Sequence, residues 1–145
     1  MQDDRRATSA CHAVVRLFRL VNRAANRAVA ELDLSGEQAH VLLVLWELGP
    51  VTIGVLQREL ALSSATLTGA LDRMEKAEMV RRVPSPTDGR VSLIEARVAG
   101  ARQKKIAAAV DANEAACFAA LSAAERKEMV RLMNKCIAAI DPDQS

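Results

Sequence analysis

Between residues 52 and 95 the chain sets two short amphipathic segments three residues apart and follows them directly with a turn-rich, arginine-bearing hairpin pattern. Few folds accommodate that order. The first segment, Ile53 to about Leu60, carries Val55, Leu56 and Leu60 at helical spacing behind Thr52 as a cap. After Ala61-Leu62-Ser63 comes the second, Ser64 to about Ala77, capped by Ser63 and turning Leu67, Leu71 and Met74 inward. Helices joined by so short a turn cross steeply, as in a helix-turn-helix. Val80-Arg81-Arg82-Val83 then predicts a strand, Pro84 to Gly89 a tip, and Arg90 to Glu95 a returning strand, which places a wing immediately after the second helix.

The flanks are helical. From about Asp4 to Leu32, Val14, Leu17, Leu20, Val21, Ala24 and Ala28 form an apolar face, while Arg16, Arg19, Arg23 and Arg27 line another stripe that reads first as a solvated face and second as a phosphate- or ligand-facing edge. Ser35-Gly36-Glu37-Gln38 is a capping box opening a helix to about Leu48, whose buried side is Val41, Leu42, Leu45 and Trp46. Gly49-Pro50 stops it. An alanine-rich helix is expected from about Val98 to Ala120, and a second capping box at Ser122 to Glu125 starts a last helix to about Ile140. Met129, Met133, Cys136 and Ile140, widened by Leu132 and Ile137, stripe that helix.

A chain of 145 residues supports one domain. Its expected subdivision is residues 1–34 as an N-terminal dimerisation helix, 35–97 as a winged helix-turn-helix and 98–145 as C-terminal dimerisation helices. The fold class is thus mainly α with a small β wing. With no tyrosine, one tryptophan and two phenylalanines, the core must be aliphatic and alanine-rich. The terminal helices carry more apolar surface than one thin layer covers, and burial against a second copy is the simplest remedy.

Ser64, Ala65, Thr66, Thr68 and Gly69 give the second helix of the pair a small, hydroxyl-bearing start. Small side chains let a helix enter a major groove, hydroxyls bond phosphates or base edges, and the helix dipole is positive at that end. The same residues are ordinary capping chemistry, and Arg90 beside the tip reads either as a minor-groove arginine or as an exposed turn residue. Residues 36–97 hold seven basic against eight acidic side chains, so any DNA affinity must come from placement rather than bulk charge. That balance keeps open a winged-helix module that binds protein or ligand with little DNA affinity.

Other classes find little support. His12 and His40 are the only imidazoles, His40 reading as a half-buried helix residue, and no nucleophile motif, phosphate loop or dinucleotide fingerprint occurs, so an enzyme is not expected. Cys11, Cys117 and Cys136 fit neither a closed disulfide framework nor a zinc site, and no metal or cofactor is expected. Cys117 and Cys136 sit on apolar faces and read as packing. No long apolar run or apolar leader is present, which favours a cytoplasmic protein with no membrane partner.

The stretch LDLSGEQAHVLLVLWELGPVTIGVLQRELALSSATLTGALDRMEKAEMVRRVPSPTDGR resembles MarR-type (multiple-antibiotic-resistance regulator) transcription factors. It holds the Leu-Ser before the second helix, Gly-Pro, the Ser/Thr-rich helix ending Asp-Arg-hydrophobe-Glu, and the Asp-x-Arg wing. The resemblance implies a ligand-responsive repressor acting as a homodimer on a pseudo-palindromic operator in double-stranded DNA. It also implies base or backbone contacts from Ser64, Ala65, Thr66 and Thr68, a phosphate contact near Arg73, minor-groove insertion by Arg90, and Asp88 as wing support. A small phenolic or other aromatic acid is the implied effector, bound between the dimerisation layer and the DNA-binding lobe. Three positions depart from the pattern: Glu78 replaces a glycine, so the helix end is expected to be remodelled; Gly89 replaces a wing arginine; and Arg97 stands where a threonine caps the next helix. Cys11, thirty-five residues ahead of Trp46, resembles the reactive cysteine of the peroxide-sensing branch. The chain lacks the tyrosines that bond such a thiolate, leaving that task to Arg or His12, and a partly buried, inert cysteine is the alternative.

Overall fold

The computed structural model describes residues 9–141. In order they form α1 (Ala10–Val29), a 3-10 turn (Ala30–Leu32), α2 (Gly36–Leu48), α3 (Ile53–Leu60), α4 (Ser64–Lys76), β1 (Val80–Pro84), β2 (Ser92–Ala96), α5 (Gly100–Cys117) and α6 (Ala123–Ile140). The anticipated caps are in place. Ser35 and Gln38 close a capping box on α2, Thr52 accepts from the Val55 amide, Ser63 from Thr66, and Ser122 with Glu125 caps α6. The Ser122 backbone N–H and then its hydroxyl hold the Glu125 carboxyl below its usual range. This cap therefore contributes stability above the ordinary carboxylate range and loses it as pH falls through the lowered value.

The first described helix stops short of its expected end at Leu32. Ser9 caps α1 by accepting the His12 amide, and the chain tightens to the 3-10 turn before Asp33 takes a left-handed conformation; residues 4–8 of the expected helix lie outside the described residues. The alanine-rich helix begins at Gly100 rather than Val98, because the two backbone groups before it are engaged elsewhere. The Arg97 N–H donates to Met79 O, and Val98 O accepts from the Trp46 indole at 2.9 Å. No side chain caps that helix at Ala99.

Val41, Leu42 and Leu45 of α2, Leu56 of α3, Leu67, Leu71 and Met74 of α4, Ile94 of β2 and Ile106 of α5 share one core. Trp46 packs against it half-buried, and its indole bond ties α2 to the segment after the hairpin. Gly36 lets α1 and α2 approach, since a Cβ there would lie 3.0 Å from that of Ala25. The Asn26 carboxamide fills the corner by accepting the Gly36 N–H at 2.8 Å. His40, expected to be half-buried, is exposed, one position off the buried Ala39 and Val41. β1 and β2 pair antiparallel with Val80 opposite Ala96 and Arg82 opposite Ile94, and Val51 bridges Ile94 from the far side. The helix-turn-helix entry and the hairpin are thus sewn together at one residue.

Glu78 shows how α4 hands the chain to β1. The helix end is not remodelled: Glu78 adopts φ 57°, Met79 N–H reaches back to Met74 O at 2.8 Å, and Glu78 N–H reaches Glu75 O at 3.0 Å, the paired bonds of a Schellman motif. A side chain in that conformation costs roughly 1 kcal/mol relative to glycine. Its exposed ion pair with Arg97 returns little of this. Glu78→Gly is expected to stabilise the fold by about 0.5 to 1 kcal/mol, glycine's extra freedom when unfolded offsetting part of the relief. Thermal unfolding checks this, and a lowered melting temperature would refute the reading.

Candidate nucleic-acid interface

On α4 the residues split cleanly by face. Leu67, Ala70, Leu71 and Met74 are buried, while Ser64, Ala65 and Thr66 are exposed and Thr68 is partly so. Ala65, Gly69, Asp72 and Lys76 recur in steps of four and three opposite the buried set, so the outward stripe is smallest at the N-terminal end of the helix. The Ser63 hydroxyl donates to Thr66 Oγ1 at 2.8 Å and also accepts the Thr66 amide, fixing the first turn. Arg73 is exposed with its guanidinium 3.5 Å from the point where a Gly69 Cβ would stand. Among the described residues it has no carboxylate partner.

The hairpin tip differs from the expected strand pattern. β2 begins at Ser92, so Arg90 belongs to the tip and not to the returning strand. The cause is Asp88, whose Oδ1 accepts the Arg90 N–H at 3.0 Å while its carbonyl accepts the Val91 N–H at 2.9 Å, closing a turn that the ladder does not enter. Ser85 N–H closes the base of the tip on Val91 O. Arg90 keeps a loose 3.4 Å contact with Asp88 and a side chain 94% exposed. Gly89 meets nothing within 4 Å of a notional Cβ, so a larger residue would fit there.

Sequence reasoning passed over Arg82. Its Nη2 lies 2.9 Å from Asp72 and its Nε 3.3 Å from Glu75, joining β1 to the outward side of α4. Arg81, on the other face of the strand, pairs with Glu95 directly across the ladder. Alternation along β1 was the available signal, since it puts Arg82 on the face of buried Val80.

Outside this lobe, Val14, Phe18, Leu20, Leu132, Met133, Ile137 and Ile140 are exposed on α1 and α6, Phe18 at 67% and Ile140 at 83%. Apart from partly buried Met129, every residue of α6 is exposed. Arg16, Arg19, Arg23 and Arg27 are exposed as a solvated face requires, and three of them border an open depression of about 520 Å³ along α1. Cys11 is exposed rather than partly buried; Cys136, expected to pack, is also exposed in the single chain; and the half-buried Cys117 thiol lies 3.8 Å from Asn113 Oδ1. Among the described residues no cluster suits a metal ion, and no helix is long and apolar enough to cross a membrane.

Comparison with known proteins agrees with this arrangement. The model of the MarR family matches residues 34–92. The HTH-type transcriptional regulator MgrA of Staphylococcus aureus is 32% identical over 133 residues, covering 90% of this chain and 89% of that protein. A mutant MarR from E. coli complexed with operator DNA superposes with a TM-score of 0.79 at 22% identity, over 92% of this chain and 96% of that one. BpsR of Bordetella bronchiseptica, whose DNA binding is regulated by 6-hydroxynicotinic acid, also gives 0.79, at 21% identity over 90% of this chain and 94% of that one. Solved structures at this identity establish the winged-helix fold, and the MgrA match across nearly the whole length establishes kinship: the chain belongs to the MarR family of DNA-binding transcriptional regulators.

Proposed function

We propose that two copies of this chain pair through α1 and α6, set the two α4 helices into successive major grooves of a pseudo-palindromic operator, and repress transcription until a small aromatic acid shifts the dimer away from that spacing. The observation that carries the reading is the exposed Ser64-Ala65-Thr66 start of α4 beside a wing that projects an almost fully exposed Arg90. Ser64, Ala65, Thr66 and Thr68 would meet the groove, Arg73 a phosphate, and Arg90 the minor groove, with Asp88 holding the tip. The uncovered apolar stripes on α1 and α6 support the pairing. Operator binding by the E. coli fold relative and regulation of BpsR by 6-hydroxynicotinic acid support the DNA and effector assignments.

Near-neutral charge in the lobe makes this reading testable. Fluorescence anisotropy on fragments from upstream regions, at several salt concentrations, is expected to reveal specific binding whose log affinity falls linearly with log salt. Absence of salt-dependent binding to any fragment would favour a protein- or ligand-binding module instead. Arg90→Ala is expected to weaken binding by about 1 to 3 kcal/mol with the melting temperature unchanged. Equal affinity would remove the wing from the interface.

Exposure of Cys11 on α1 favours one second reading, a thiol-based peroxide-sensing repressor. With no tyrosine to bond a thiolate, effector binding is the primary proposal. Dilute organic hydroperoxide is therefore expected to leave the operator complex intact. Release accompanied by a sulfenic acid or mixed disulfide at Cys11 in mass spectra would transfer regulation to the thiol.

A further inference from the structure

Asp72 stands on the outward stripe of α4, in line with Ala65 and Gly69, and Glu75 lies one turn further along the helix. Two carboxylates there oppose the approach of a phosphate backbone. The hairpin answers with one residue. Arg82 stands opposite buried Ile94 in the ladder, and its guanidinium reaches both carboxylates, at 2.9 Å from Asp72 and 3.3 Å from Glu75. Its side chain is only 39% exposed, against 94% for Arg90 at the tip. A guanidinium forked between two carboxylates has two of its donor nitrogens engaged and its charge offset, which leaves it poorly suited to a phosphate of its own.

We propose that Arg82 is a positioning residue of the DNA interface: it masks Asp72 and Glu75 from the phosphates and locks the wing at a fixed distance from α4, without touching DNA. The proposal rests on α4 being the groove-facing helix. It also gives physical content to the unfavourable charge count of the lobe. Two of its eight carboxylates are withdrawn by an arginine from the adjoining strand, while Arg73 and Arg90 remain available to a ligand.

The test measures operator affinity and its salt dependence for the intact chain, for Arg82→Gln, and for the triple variant Arg82→Gln with Asp72→Asn and Glu75→Gln. Arg82→Gln bares the carboxylates and is expected to bind about tenfold more weakly. The triple variant has nothing left to mask, keeps side chains able to hydrogen-bond one another, and is expected to recover to within about threefold of the parent with the same salt slope. Unchanged affinity in Arg82→Gln overturns the proposal. So does a triple variant as weak as the single one, or one whose salt slope falls by about 0.9, the signature of a lost phosphate contact. Should Arg82→Gln fail to fold, the triple variant decides alone: an affinity more than about threefold below the parent, or a salt slope lower by about 0.9, overturns the proposal. Failure of the parent chain to bind DNA at all would instead dismiss the underlying interface, so the two failures are separable.

Discussion

On the proposed dimer, replacing Leu132 and Ile137 together by glutamate is expected to leave a monomer and to lower affinity for the proposed operator by roughly 10²- to 10⁴-fold. Both residues are exposed on α6 in the single chain, within a stripe that includes Met133 and Ile140 and is matched by Val14, Phe18 and Leu20 on α1. So many exposed apolar side chains on two helices are unusual on a protein that works alone. In a two-fold interface every substitution occurs twice, so four carboxylates would have to be desolvated, at several kcal/mol each where no cation meets them. The large effect on DNA follows from geometry. Two α4 helices held by one dimer bind their second half-site intramolecularly, and separating the chains forfeits that effective concentration. Sedimentation equilibrium beside anisotropy checks the outcome. A variant that stays dimeric, or one that is monomeric yet binds DNA as tightly, would contradict the dimer account.

The second large effect concerns the rotation of α4 about its own axis. Leu67→Ala is expected to destabilise the chain by about 2 to 5 kcal/mol, because Leu67 is fully buried among Leu71, Met74 and the rest of the core, and the surrounding helices close only partly over the lost methyls. Ala65→Ser, two positions earlier on the exposed side, is expected to change stability by no more than about 0.5 kcal/mol. Thermal or urea unfolding at fixed protein concentration measures both, since the proposed dimerisation would make the midpoint concentration-dependent. Equal costs at the two positions would mean that α4 is turned differently, and the outward set assigned to the groove would be wrong.

Local chemistry made much of this molecule legible in its sequence. The bounds of α2, α3 and α6 follow from Ser35, Thr52 and Ser122, each within hydrogen-bond reach of the amides it caps. The inward face of α4 follows from the 3.6-residue period of Leu67, Leu71 and Met74. What was not legible depends on contacts distant in the chain. The start of α5 depends on Trp46, fifty-two residues away, whose indole donates to the Val98 carbonyl, and the partners of Arg82 depend on the hairpin register. Glu78 is a different failure. Its sequence argued against a left-handed residue, yet the two backbone bonds of the Schellman end and the burial of Met79 and Val80 outweigh the local strain. At the wing, Asp88 binds the backbone of its own turn and so keeps Arg90 out of the strand, a choice that period-2 patterning does not register.

Hydroxyl-radical footprinting of the chain on its tightest-binding fragment tests the central claim most directly. The account predicts two protected blocks related by two-fold symmetry, centred about one helical turn or roughly 34 Å apart, with flanking minor-groove protections that vanish in Arg90→Ala. A single asymmetric block, or flanking protections indifferent to Arg90, would contradict it.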